Sequence, residues 1–189
     1  MELPHTVVEG IRQPDWDALP ESSDTEVVRA ATDHWLGALL QDVPGLCRVR
    51  RSGVTVVGCA GEREALMLAE SAARFRDRLL LELPTVAREP VGGLVVLQLP
   101  NDVYYRYLSR WYGEGVSARS AGVSLRIRRP HLVLAHVDLT HDEHVLANEV
   151  THALLVHRDL PTWVEEGLAT TVETVLLGRR PAHTDRERL

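Results

Sequence analysis

Asn148, Glu149 and His152, followed by Glu165 and Glu166, are residues of the types that hold a metal and move a proton. At about 100° per residue, positions 148, 149 and 152 fall within a narrow arc of one helix face. A zinc-binding helix uses that spacing, with two ligands one turn apart and a carboxylate between them beside the metal-bound water. The opposite face carries Leu146, Val150, Ala153 and Leu154, an apolar stripe expected to anchor the helix in a core. Asn148 stands at the first ligand position. An amide oxygen is a neutral and weaker zinc donor than imidazole.

Two helices are needed to bring this stretch beside Glu166, and each carries a start signal. Thr140-His141-Asp142-Glu143 has the Ser/Thr-x-x-Glu form of a capping box and predicts a helix to about His157. Arg158-Asp159-Leu160-Pro161 is a short break. Thr162-Trp163-Val164-Glu165 is a second box, opening a last helix to about Leu177, just before Gly178. On this reading Glu165 caps Thr162, which leaves Glu166 free to face a metal.

From Val145 to Ala169 the chain resembles the small gluzincin-type metallopeptidases, the peptidase MA-like group built on a minimal zincin fold. The resemblance rests on Asn148-Glu149-Val150-Thr151-His152 and on Leu160-Pro161-Thr162-Trp163-Val164-Glu165-Glu166-Gly167-Leu168-Ala169, and extends more loosely back to about Val54. The family pattern is His-Glu-x-x-His with a third ligand from the Glu that precedes Gly. Carried across, it implies Glu149 as general base, with His152 and Glu166 as metal ligands and Asn148 as a weak or lost one. In such enzymes zinc acidifies its bound water, the Glu takes the proton, and hydroxide attacks the peptide carbonyl. The implied fold is α+β: a zincin-like upper subdomain with a small mixed sheet backed by a long helix, then the active-site helix and the glutamate helix.

Thr170 and Thr171 depart further, where the family usually carries an acidic residue and often a Tyr. An acidic residue there would orient the first His, so three positions have changed together and not one alone. His144 shares the 148–152 face, but eight residues along a helix is a rise of about 12 Å, too far to bridge to His152 through one zinc. His157 points away from the arc. His136, His141 and His144 are expected to be helix-end and strand-edge polar residues, with an incidental surface metal group the alternative. Two functional classes follow from the resemblance: a pseudopeptidase that binds a polypeptide or protein partner in the old cleft, with Zn2+ weakened or lost, or an active or residual zinc-dependent peptidase. Strand addition along an edge at His131 to His136 is the expected mode of polypeptide binding.

Upstream, residues 1–20 carry Pro and lack periodicity, so they are expected to form an irregular arm before a single domain over 21–178, with the site region at 140–178 and a polar tail at 179–189. Ser23-Asp24-Thr25-Glu26 predicts a helix start, and the apolar spacing of Val28, Ala31, Trp35 and Leu39 carries that helix to Gln41. Leu46 to Ala60 predicts two strands turning at Arg51-Ser52-Gly53. A long helix is expected from Glu62 to Leu83, buried along Leu68, Ala72, Phe75 and Leu79, with Arg74, Arg76 and Arg78 solvated. A buried strand over 93–99, an aromatic helix over 103–112, and strands over 123–128 and 131–136 complete the pattern. Arg126 and Arg128 fall on one face by alternation and are expected to be solvated, with an acidic-ligand site the lesser alternative.

Composition bounds the rest. Of 189 residues 44% are apolar, enough for one core, and the net charge of −6 argues against a nucleic-acid face. No run of about 18 apolar residues predicts a membrane span. The N-terminus lacks a secretory layout, so a cytoplasmic location is expected. Cys47 and Cys59 are too few for a disulfide framework or a cysteine zinc knuckle, and free thiols are expected. All 21 basic residues are Arg, which fits GC-rich codon usage or avoidance of amine-directed modification.

Overall fold

A computed structural model describes residues 3–8, 10–19, 24–112 and 121–177. The architecture is α+β. Its centre is a five-stranded mixed sheet of β3 (Cys47–Arg51), β4 (Val54–Gly58), β5 (Leu94–Leu99), β6 (Gly122–Leu125) and β7 (His131–Ala135). The order is β3-β4-β5-β7-β6, with β4, β5 and β7 parallel and the two outer strands antiparallel. Val96 lies between Val56 and Leu132 at its middle.

Both faces of the sheet are covered, which is why β4, β5 and β7 are continuous apolar runs and do not alternate. One face carries Val54, Val56, Leu94, Val96, Leu132 and Leu134. It packs on α2 (Glu62–Glu82) through Leu68, Ala72, Phe75 and Leu79, and on α4 (Leu139–Leu155) through Leu146, Val150, Ala153 and Leu154. The stripes expected from both helices are therefore buried. The other face, with Val57, Val95, Leu97, Leu99 and Val133, packs on α1 (Thr25–Asp42) and α3 (Asn101–Tyr112). The last helix, α5 (Thr162–Leu177), lies against α4.

Several expectations change at the periphery. The first residues are not an irregular arm: β1 (His5–Val8) and β2 (Ile11–Pro14) form an antiparallel hairpin. Gln13 Nε2 donates to the Tyr107 carbonyl at 2.8 Å, Arg12 pairs with Asp42, and Trp16 meets Trp35 edge-on at 5.2 Å. With Leu3, Ile11 and Leu19 buried, this segment closes the α1/α3 face. Its strands hold four residues each, too short for periodicity to show. Ser23 and the tail from Gly178 lie outside the described residues; Asp24 caps α1 by accepting from Val27 N–H at 2.8 Å. Arg76 is buried rather than solvated, held by Ser52 O at 2.9 Å and by Asp77 and Glu89. The strand at 131–135 is interior, and among the described residues β6, its neighbour, is the edge on that side, with β3 the edge on the other. Both cysteines are free. No described helix is long and apolar enough to cross a membrane.

Candidate functional site

Helix α4 starts one residue before Thr140. Asp138, not Thr140, is its cap, accepting from His141 N–H at 2.9 Å, and the helix ends at Leu155. Asn148, Glu149 and His152 lie together on it and all are buried. The α4 and α5 helices form an antiparallel hairpin whose rungs are regular. His152 Nδ1 meets Glu165 Oε1 at 3.2 Å, and eight residues away on each helix His144 Nδ1 meets Glu173 Oε1 at 3.3 Å. Asn148 and Ala169 hold the midpoints between the two rungs, and both are buried. Position 148 is thus inside the helix pair, where an uncharged side chain is cheaper to hold than an ion.

Glu165 is not the capping partner of Thr162. Its side chain, only 2% exposed, is taken by His152 and by an ion pair with Arg126. Those two partners hold its carboxyl below the usual range despite burial. Glu166 does face the site as expected: its side chain is 60% exposed and Oε1 lies 3.7 Å from His152 Nε2. Arg126, though nearly half exposed, therefore pairs with an acidic group, the lesser of the two expectations for it. Alternation missed it because β6 ends at Leu125, so the strand rule no longer applies at position 126.

Glu149 is the least comfortable group. Burial raises its carboxyl pKa to about 8; a Ser124 backbone hydrogen bond works against the rise and the charge of Glu166 adds to it. Burial raises the Tyr112 phenol at the end of α3, and the Glu149 charge adds to that rise. Tyr112, exposed at the end of α3 but near enough to feel the Glu149 charge, is a neighbour of this site that composition and spacing did not reveal. Thr171 takes no part: its hydroxyl donates to Gly167 O in its own helix at 2.7 Å.

The donors can be tested against zinc. Bonds of about 2.0–2.1 Å at tetrahedral angles place neighbouring donor atoms roughly 3.4 Å apart. His152 Nε2 and Glu166 Oε1, at 3.7 Å, fit two such vertices. The third position is Asn148, and its amide does not fit what zinc selects. No step can be routed through a metal here on these residues.

A second group does gather three strong donors. Glu64, His136 and Asp142 place their ligand atoms within 4.8 Å of one another, and among the described residues this is the one such group. It could hold a metal ion. His136 therefore does take part in a metal-type group, with Glu64 and Asp142 as neighbours and not His141 or His144. Sequence spacing could not find it, since residues 64 and 142 lie on different helices. Compared with protein-family models, curated proteins and solved structures, the chain finds no match in any of the three.

Proposed function

We propose that the chain is a zincin-like pseudopeptidase: a scaffold whose peptide-hydrolysis site has lost its first metal ligand, and which holds an extended polypeptide or partner segment where a substrate would lie. The observation that carries this reading is Asn148, buried between the two His–Glu rungs while His152 and Glu166 remain in donor geometry. Arg126 supports it, because a permanent cation already serves the carboxylate of Glu165. A polypeptide would add to β6, the sheet edge whose Ser124 backbone meets Glu149, and would thereby cross the site.

A residual peptidase is the second reading. It is favoured by the Glu165–His152 contact, since a carboxylate on one imidazole nitrogen is how ligating histidines are oriented. The two readings separate on one pair of variants. With zinc supplied and a disordered polypeptide such as casein as probe, the protein is expected to leave the polypeptide uncut. Asn148→His is expected to tighten zinc binding by at least about 100-fold, the upper end of what a supporting partner alone contributes. Cleavage by the unaltered protein that disappears in Glu149→Gln would sink the pseudopeptidase reading. Unchanged zinc affinity in Asn148→His would show that position 148 is not the missing ligand.

A further inference from the structure

We propose that Glu64, His136, Asp142 and Gln98 form a binding site for a divalent first-row transition cation, separate from the 148–166 site and independent of its fate.

The topology assembles it. Strands β4, β5 and β7 are parallel, so their carboxyl ends share one edge of the sheet, the edge where open α/β sheets place ligands. Gln98 sits one residue from the end of β5, in register with Gly58 on one side and Leu134 on the other. His136 directly follows β7, with its backbone N–H on Leu99 O at 2.9 Å. Glu64 comes from the first turn of α2 and Asp142 from the first turn of α4, so the two helix starts bring their acidic side chains to the same sheet edge. Four elements converge on a few ångströms.

The donors are close and held. His136 Nδ1 lies 2.9 Å from Asp142 Oδ2 and 3.8 Å from Glu64 Oε1, the spacing of neighbouring vertices around one ion. Asp142 is wholly buried, and its other oxygen accepts from Val137 N–H at 3.2 Å, which fixes the carboxylate plane. Glu64 and His136 are partly exposed, so an ion has a way in.

Gln98 is the independent sign. It is the polar residue in an otherwise apolar buried strand, and it is fully buried. Its Nε2 donates to Asp142 Oδ2 at 2.6 Å and to Glu64 Oε1 at 3.4 Å, and lies 3.2 Å from His136 Nδ1, so the amide is drawn against all three members of the group. Its Oε1 is buried with no donor. Turned over when the two carboxylates bind an ion instead of Nε2, the amide presents that oxygen as a fourth ligand. Gly58 makes room for this residue, since a Cβ there would stand 2.8 Å from Gln98 Oε1. One imidazole with two carboxylates suits Mn2+, Fe2+ or Zn2+ better than Mg2+ or Ca2+, which prefer oxygen alone, and the amide oxygen adds a donor acceptable to Mn2+ and Fe2+ but a weak one for zinc. Bound there, the ion ties the starts of α2 and α4 to the strand ends.

The test uses the full chain, stripped with a chelator and titrated with Mn2+ followed by the signal of the free ion, and separately with Zn2+ by calorimetry. One equivalent is expected for each, with a higher melting temperature on loading. Glu64→Gln and His136→Gln are each expected to weaken binding by at least about tenfold. His152→Gln and Glu166→Gln are expected to leave it unchanged. Glu64 lies at the surface, so Glu64→Gln decides the matter if His136→Gln fails to fold. Absence of binding for both metals, or binding that Glu64→Gln does not weaken, overturns the site. Binding lost in His152→Gln but kept in Glu64→Gln places the metal at 148–166; it overturns this site and counts against the pseudopeptidase reading instead.

Discussion

The two ends of α4 make opposite use of the same residue types. Toward its C-terminus, Asn148, Glu149 and His152 have the spacing of a metal helix, yet only two strong donors meet, and one carboxylate is buried without a charge partner close enough to keep it ionised. At its N-terminus, Asp142 belongs to no metal-ligand spacing, yet it lies within hydrogen-bond range of His136 and Gln98, and its ligand atom lies within 4.8 Å of those of His136 and Glu64. About 15 Å of helix separates residues 142 and 152. The contrast teaches that ligand spacing along a helix does not by itself assemble donors, while tertiary geometry can assemble them without any spacing.

The largest effect should come from neutralising one carboxylate at each end, with opposite signs. The carboxyl of Glu149 has a pKa near 8 in the fold against 4.5 for the free group, so its stabilising share is complete below pH 4.5 and is lost as pH rises toward 8. Glu149→Gln removes that loss and is expected to stabilise the protein by about 3 kcal/mol at pH 7, with no difference near pH 4. Asp142→Asn replaces an acceptor that serves Gln98, His136 and Val137 and should cost about 1–3 kcal/mol. Denaturant melts across this pH range check both. A destabilising Glu149→Gln would break the contrast.

Acid should bring out a loss common to every variant. His131, across the sheet from α4, is buried between Trp35 and Tyr107, with Tyr107 Oη 2.7 Å from Nε2. Burial lowers its pKa to about 4 from the ordinary 6.5. Its neutral form fits the fold, so stability is full above pH 6.5 and falls as pH drops toward 4, by roughly 3 kcal/mol. His131→Gln should flatten that acid limb, and a limb left unchanged would assign it to another group. The smallest effect belongs to Arg126→Gln. Glu165 loses a partner but keeps His152, and because Arg126 is nearly half exposed the cost should be only about 1 kcal/mol. A cost several times larger would show that Arg126 is the main support of the motif end.

Much of the fold was legible because its signals are local. The long helix from Glu62, the strand pair turning at Ser52-Gly53, and α5 over 162–177 fall where periodicity and turn residues put them. Ser52 indeed takes a left-handed φ of 49° beside Gly53 at 79°. The capping boxes were less reliable. Asp24 follows the expected Ser23 by one residue and Asp138 precedes the expected Thr140 by two, and a carboxylate competes with a hydroxyl for the same N–H groups. Arg76 was misjudged because its partners, Ser52 and Glu89, lie on either side of a long helix in sequence.

By itself the sequence determined which faces of α2 and α4 are buried, that Glu149 and His152 share a helix face, and that position 148 on that face is an amide. All of these follow from a helical period acting over a few residues. The tertiary structure decided which charges meet. It turned Glu165 from a cap into the partner of His152 and Arg126, made β6 and not β7 the edge, and drew Glu64 and His136 to Asp142. Those contacts join residues tens of positions apart, and their energies depend on burial and on the parallel order of the strands, which no local pattern encodes.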